Sequence, residues 1–300
     1  MKNKAGHRSG FVNIIGLPNA GKSTLTNALL GMQLNIINPK PQTTRHRIHA
    51  ILNGEDHQII IADTPGFIKD PEYSMQESMN QAALSVMEDA DILLFMHDIT
   101  SPRSESMELF DMVKKNYEGP IFLLLSKIDK VKDPEVIEEI EHWKDLEGIT
   151  EIIPVSATNG YNLKKLLELI LKAIPEHPPY YEKDYISDRS ERFFVEEIIR
   201  NEILQQFSKE IPYSCEVVVN EFKEDGTSSG KTLIRAVIFV LRNSQRRILI
   251  GKGGQAIKQL GMNARKKIEK FTGSEVYLDL TVKIRENWRD SEKDLKKLGY

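Results

Sequence analysis

The chain has 300 residues, 40% apolar and 28% charged, which suits a soluble globular protein large enough for two cores. Its single cysteine, Cys215, excludes an internal disulfide and fits a reducing cytosol. The polar stretch Met1–Gly10 predicts no secretory signal, and no apolar run is long enough to span a bilayer. The net charge of −3 is unevenly divided: residues 1–180 hold 18 Lys+Arg against 25 Asp+Glu, and residues 181–300 hold 23 against 19. Arg242–Phe271 alone carries nine basic residues and one acid, Glu269, which points to a polyanion-binding second half.

In chain order, residues 1–175 alternate apolar runs with helical stretches. Strands are predicted at Phe11–Ile15, Arg47–Leu52, Gln58–Ala62, Asp91–His97, Pro120–Leu125 and Ile152–Val155. Helices are predicted at Lys22–Leu30, Tyr73–Ala90, Ser104–Asn116, Pro134–Leu146 and Leu163–Ala173. This alternation implies an α/β, doubly wound and mostly parallel sheet, with one antiparallel edge strand where Asn53–His57 reads as a hairpin turn. Pro175-Glu-His-Pro-Pro179 opens an expected linker, 176–190. Residues 191–300 then read as an α+β domain. A helix is expected at Glu191–Ser208, strands at Ser214–Phe222 and Thr232–Leu241, a helix from about Gly254 and a last strand at Glu275–Val282.

Between the first strand and helix lies Gly16-Leu17-Pro18-Asn19-Ala20-Gly21-Lys22-Ser23, followed by Thr24. The spacing G-x-x-x-x-G-K-S in a strand–loop–helix context is that of a phosphate-binding loop. Its backbone N–H groups and the helix N-terminus receive phosphate, Lys22 reaches the β- and γ-phosphates, and Ser23 ligates Mg²⁺. Asp63-Thr64-Pro65-Gly66 ends the third predicted strand, where an acid can hold Mg²⁺ through water and the Gly66 N–H can face a γ-phosphate. The intervening Gln42-Thr43-Thr44-Arg45-His46 reads as a switch segment; one of its threonines supplies a further Mg²⁺ oxygen, with Thr44 favoured over Thr43. Ser126-Lys127-Ile128-Asp129 follows the fifth strand. A carboxylate at Asp129 accepts guanine's ring N–H and exocyclic amine, a donor pair that adenine lacks. The Lys127 stem covers the base, and Ser156-Ala157 offers a backbone N–H to the guanine oxygen.

These four elements resemble the TRAFAC-class small GTPases, whose base-reading motif is usually Asn-Lys-x-Asp. Here Ser126 replaces the asparagine that ties the base loop to the phosphate loop, which implies weaker nucleotide affinity with guanine selectivity kept through Asp129. Phe67 stands where Ras-like members carry a water-orienting glutamine. GTPases with an apolar residue there include several that bind K⁺ through an asparagine in the phosphate loop, a position matched by Asn19. The resemblance therefore implies slow, K⁺-stimulated hydrolysis.

In the second half, Ile250-Gly251-Lys252-Gly253-Gly254 forms a G-x-x-G turn leading into a helix that carries Lys258, Arg265 and Lys266. Such a loop clamps the backbone of unpaired nucleotides in KH domains, and the element order favours the type II arrangement. Ile257, Leu260 and Ile268 read as core rather than contact surface. A P-loop GTPase followed by a type II KH domain resembles the Era family of bacterial ribosome-assembly GTPases over nearly the whole chain. That resemblance implies GTP/GDP, small-subunit (16S-type) rRNA near its 3′ end and the 30S subunit as partners. It also brings cytoplasmic location and peripheral association with the inner face of the cell membrane, for which no anchor is seen. Other readings stay open: a GTPase of tRNA modification or translation, an RNA-binding regulator with structural GTP, and an ATP-dependent kinase, which Asp129 opposes.

Overall fold

The computed structural model describes residues 6–300; the start of the polar N-terminal stretch, 1–5, lies outside them. The chain divides into two compact units, one of residues 6–72 and Gln76–Asp188, the other of Tyr73–Met75 and Arg189–Tyr300.

The first unit runs β1 (Arg8–Gly16), α1 (Lys22–Leu30), β2 (Ile48–Asn53), β3 (His57–Asp63), α2 (Ser74–Leu84), β4 (Ile92–Asp98), α3 (Arg103–Asn116), β5 (Ile121–Ser126), α4 (Asp133–Lys144), β6 (Ile149–Pro154) and α5 (Leu163–Ala173). Its strands form one sheet ordered β2-β3-β1-β4-β5-β6, parallel except for the antiparallel β2–β3 hairpin. The β4 and β5 strands are buried at every position, as a sheet covered on both faces requires. Trp143 of α4 and Phe110 of α3 pack edge-on, with ring centroids 5.5 Å apart, over Phe95 of β4. Helix α2 stops earlier than its apolar pattern predicts and tightens into a 3₁₀ turn at Ser85–Met87. There the Asn13 amide donates to Val86 O at 2.7 Å, taking a carbonyl that a longer helix would use.

The expected linker is corrected for residues 176–188, which are strapped to this unit. Ile51 N donates to Ile186 O at 3.0 Å and His177 N to His7 O at 3.0 Å. Gln58 grips the strap from β3, its Oε1 accepting from Tyr180 N at 2.8 Å and Tyr181 N at 2.9 Å. The strap covers the open edge of β2, where unpaired backbone groups would otherwise face solvent.

The second unit comprises α6 (Glu191–Gln206), α7 (Ile211–Ser214), β7 (Glu216–Lys223), β8 (Thr232–Val240), α8 (Asn243–Ile250), α9 (Gln255–Thr272), β9 (Val276–Ile284) and α10 (Glu292–Leu298). The β7 and β8 strands are antiparallel, and β9 joins β8 in parallel. Apolar faces of α6, α8 and α9 close the core over the sheet through Val195, Ile199, Leu249, Leu260, Ala264 and Ile268. Helix α8, which precedes the glycine turn, is not among the elements predicted from the sequence. It begins where the Gln245 side chain accepts Leu241 N and Arg242 N at 3.0 and 3.1 Å, and it buries only Gln245 and Leu249.

Candidate functional site

The phosphate-binding loop leaves β1 at Gly16 and enters α1 through Gly21, whose φ of +100° suits glycine alone. A Cβ on Gly16 would stand 2.6 Å from Met96 O, and one on Gly66 would stand 2.5 Å from Pro18 Cα, so both loops depend on bare backbone. Phe67 N donates to Gly16 O at 3.2 Å and Thr64 Oγ1 to Ile14 O at 2.7 Å, which fix Asp63-Thr64-Pro65-Gly66 against the loop. No side chain caps α1 and no acid occupies its first turn, leaving its N–H groups for an external anion.

Pro18, Asn19, Lys22, Ser23, Thr44 and Gly66 are among the residues lining a cavity of about 450 Å³. Lys22 is buried, its Nζ donating to Gly16 O at 3.0 Å and Leu17 O at 2.9 Å. Burial pulls its pKa down to about 8, against the opposing pull of Asp63. Burial pushes the Asp63 carboxyl up to about 6, with Ser23, the Lys22 charge and Asn35 acting to lower it. Ser23 Oγ and Thr44 Oγ1 lie 2.9 Å apart, whereas Thr43 Oγ1 donates to Lys40 O at 2.6 Å; the structure thus brings Thr44, not Thr43, beside Ser23. Gln42, at φ +58°, lines the cavity, Arg45 is fully buried and His46 is half-buried.

Two hydroxyls and one carboxylate around a phosphate cradle match the all-oxygen donor set that Mg²⁺ takes in NTPases. Asp63 Oδ1 is buried and makes no hydrogen bond among the described residues, an acceptor left for such a ligand. Among those residues no cluster of three His, Cys, Asp or Glu side chains could hold a metal by itself, so the ion's remaining oxygens would come from nucleotide and water.

A second cavity, of about 190 Å³, is lined by Ala20, Thr24, Ser126, Lys127, Asp129 and Ala157. The tie expected to be lost with Ser126 is kept: its Oγ lies 2.8 Å from Ala20 O and 3.0 Å from His97 O. Asp129 Oδ1 accepts from Ser156 Oγ at 2.6 Å, which orients the carboxylate. Lys127 Nζ pairs with Asp98 Oδ2 at 2.5 Å, a partner that chain order did not reveal. The Ser156 N–H is consumed by Tyr161 O at 3.3 Å, leaving Ala157 to supply a backbone donor. Phe67 packs against the core and presents no polar atom.

In the second unit, α8 and α9 are joined by the turn Gly251–Gly254, with φ of +72°, +59° and +77° at Gly251, Gly253 and Gly254. A Cβ on Gly251 would meet Ala256 Cβ at 2.6 Å. Lys252 stands exposed at the turn. Beside it, Ile257, Lys258, Met262 and Arg265 of α9 face Leu278 and Leu280 of β9 across a groove of about 290 Å³. Leu260 and Ile268 are core, as expected, whereas Ile257 lines the groove. Ile250 packs against the core instead of facing the groove, and Lys266 is exposed on α9 outside its lining. Met262, Leu278 and Leu280 were missed; the alternation of β9 was the available signal for the two leucines.

Comparison with known proteins accords with this geometry. Residues 11–127 match the family described as 50S ribosome-binding GTPase, and residues 210–289 match the KH domain. The GTPase Era of Lactobacillus helveticus is 40% identical over 293 residues, covering 98% of this chain and 96% of the relative. A crystal structure of Era in complex with MgGDPNP and nucleotides 1506–1542 of 16S ribosomal RNA superposes with a TM-score of 0.91 at 36% identity, over 98% of this chain and 99% of that one. A variant of Aquifex aeolicus Era bound to GDP·AlF₄⁻ gives a TM-score of 0.91 at 37% identity, over the same shares. Fold and site together define a P-loop GTPase carrying a KH domain. The chain belongs to the Era family of GTPases. Among the described residues, no helix is long and apolar enough to cross a membrane.

Proposed function

We propose that the chain binds GTP and GDP with Mg²⁺ in the first unit's paired cavities. We further propose that it hydrolyses GTP, grips the single-stranded 3′ region of small-subunit rRNA in the KH groove and acts in 30S assembly. The observation that carries this reading is the convergence of Lys22, Ser23 and Thr44 on one cavity, with the Asp63 carboxyl buried beside Ser23 and Asp129 on the next cavity. Lys22, Ser23, Thr24 and the loop amides bind the phosphates. Ser23, Thr44 and Asp63 hold Mg²⁺, which when bound offsets phosphate charge. Asp129 reads guanine, with Ala157 N–H on the base oxygen.

Phe67 supplies no group to orient water, so hydrolysis relies on charge stabilisation. Asn19, exposed at φ +63° on the cavity rim, is the residue that would contact K⁺. The glycine turn, Lys252, Lys258 and Arg265 bind RNA phosphates while the apolar floor receives bases. GTP would order 42–46 and raise RNA affinity; the energetic requirement is unequal RNA affinity between nucleotide states.

Calorimetry with GTP, GDP and ATP in Mg²⁺ tests the pocket: guanine nucleotides bind and ATP does not. Binding of an oligonucleotide with the 16S rRNA 3′ sequence, with GTP analogue and with GDP, tests the groove and its coupling. Equal RNA affinities in the two states refute the coupling, and equal turnover in KCl and NaCl refutes the K⁺ role.

A further inference from the structure

Asp63 is fully buried at the end of β3, behind the loop that carries Thr64 and Gly66 to the cavity, and the hydrogen bond to its Oδ2 comes from far along the chain. Asn35 Nδ2 donates to Asp63 Oδ2 at 2.8 Å. Asn35 is in turn clamped by Asn27 of α1, whose Oδ1 accepts Leu34 N at 3.0 Å and Asn35 N at 2.8 Å while its Nδ2 donates to Asn35 O at 2.8 Å. All three side chains are buried, Asp63 completely. An amide that spends both donor and acceptor capacity on two backbone residues is holding them in place.

The clamp leaves a particular vacancy in hydrogen bonding. Asp63 Oδ1 and Asn35 Oδ1 are both buried acceptors with no partner among the described residues. The nearby Ser23 hydroxyl, which helps to stabilise the carboxylate charge, is engaged with Thr44. A buried acceptor left without a donor is destabilising, so two on neighbouring residues call for hydrogen atoms brought from outside the protein. Mg²⁺ keeps several of its waters when bound, and those waters are such donors.

We propose that Asn35 is a positioning residue for the Mg²⁺ site, orienting the Asp63 carboxylate through Nδ2 and offering Oδ1 to a metal-bound water. Asn27 holds Asn35 for this purpose, so the root of the segment leading to Thr44 is coupled to the nucleotide's metal. The inference rests on the guanine-nucleotide reading above. Outer-shell partners of this kind change metal affinity by about 10- to 100-fold when removed.

The test is the dissociation rate of a fluorescent GDP across a Mg²⁺ titration, with excess EDTA as the metal-free limit. Asn35→Ala should raise the Mg²⁺ concentration at half-maximal retention by about tenfold, leaving the EDTA rate unchanged. Asn35→Ser, which keeps a small polar group, should fall between, and it carries the test if Asn35→Ala does not fold. Wild-type midpoints in both variants overturn the proposal. So does an EDTA rate that rises as much as the Mg²⁺-bound rate, because that marks a purely structural side chain. Wild-type protein that retains no GDP at any Mg²⁺ concentration removes the nucleotide reading itself; normal wild-type behaviour with an unshifted Asn35→Ala removes this inference alone.

Discussion

The two candidate binding regions solve anion recognition in opposite ways. The first unit buries its charges: Lys22 and Asp63 lie inside the protein, each shifted toward neutrality by burial, and each held by named hydrogen bonds. The second keeps Lys252, Lys258 and Arg265 in solvent around an apolar floor, with few fixed partners. A compact triphosphate with a metal rewards a preorganised, desolvated cradle, where each interaction is strong and geometry is decisive. A flexible single strand rewards exposed cations and stacking surface, which tolerate many poses and respond to salt.

The widest gap between the regions should open with Lys22→Ala. Removing a buried cation that faces phosphate should weaken GTP binding about 100-fold or more by calorimetry, with RNA binding in the GDP state unchanged. A loss below tenfold would mean the cradle is not preorganised around this residue.

Next comes a half-buried carboxyl within the second unit. Glu196 is pushed up to about 7, chiefly by burial and also by Glu216 and Glu197, while Val219 N opposes the shift by donating to it at 2.7 Å. A carboxyl raised in the folded state gives stability that is complete below its unfolded pKa near 4.5 and is lost as pH rises through about 7. Wild type should therefore melt lower at pH 8.5 than at pH 6. Glu196→Gln should abolish that part of the decline and be more stable at pH 8.5 by about 1–3 kcal/mol. Parallel melting curves for the two proteins across this range would remove Glu196 from the account.

Lys252→Ala should act more gently, weakening RNA several-fold across sequences and lowering the salt slope of binding by about one, with GTP affinity untouched. The smallest effect belongs to Ser126→Asn. Because the serine already reaches Ala20 O, GTP affinity should move by no more than about threefold, a fraction of a kcal/mol. A tenfold gain would show that the serine tie is a poor substitute.

Local signals made much of this readable in advance. Helix α1 begins and ends where expected because Gly21 and Gly31 bracket it, both left-handed. The strand ends carrying Asp63, Asp129 and Ser156 were legible because each follows an apolar run. What escaped was whatever depended on distant side chains. Asn35 is an ordinary loop residue until Asn27 and Asp63 are brought to it. Lys127 shows its partner only when β4 and β5 pair, with Asp98 opposite Ser126. Helix α8 is only eight residues long and buries just Gln245 and Leu249, too short an apolar face to read as a helix, and the strap looks like a linker because prolines open it.

That strap has a practical consequence for dissecting the molecule. A GTPase fragment ended at residue 175 would leave Gln58 with its Oε1 unsatisfied and bare the main chain of β2, including Ile51 N. An open strand flank of that kind recruits neighbouring molecules, so such a fragment should self-associate. Ending it after Asp188 keeps the seam closed, because His49 N then retains its bond to the Asp188 carboxylate at 3.1 Å.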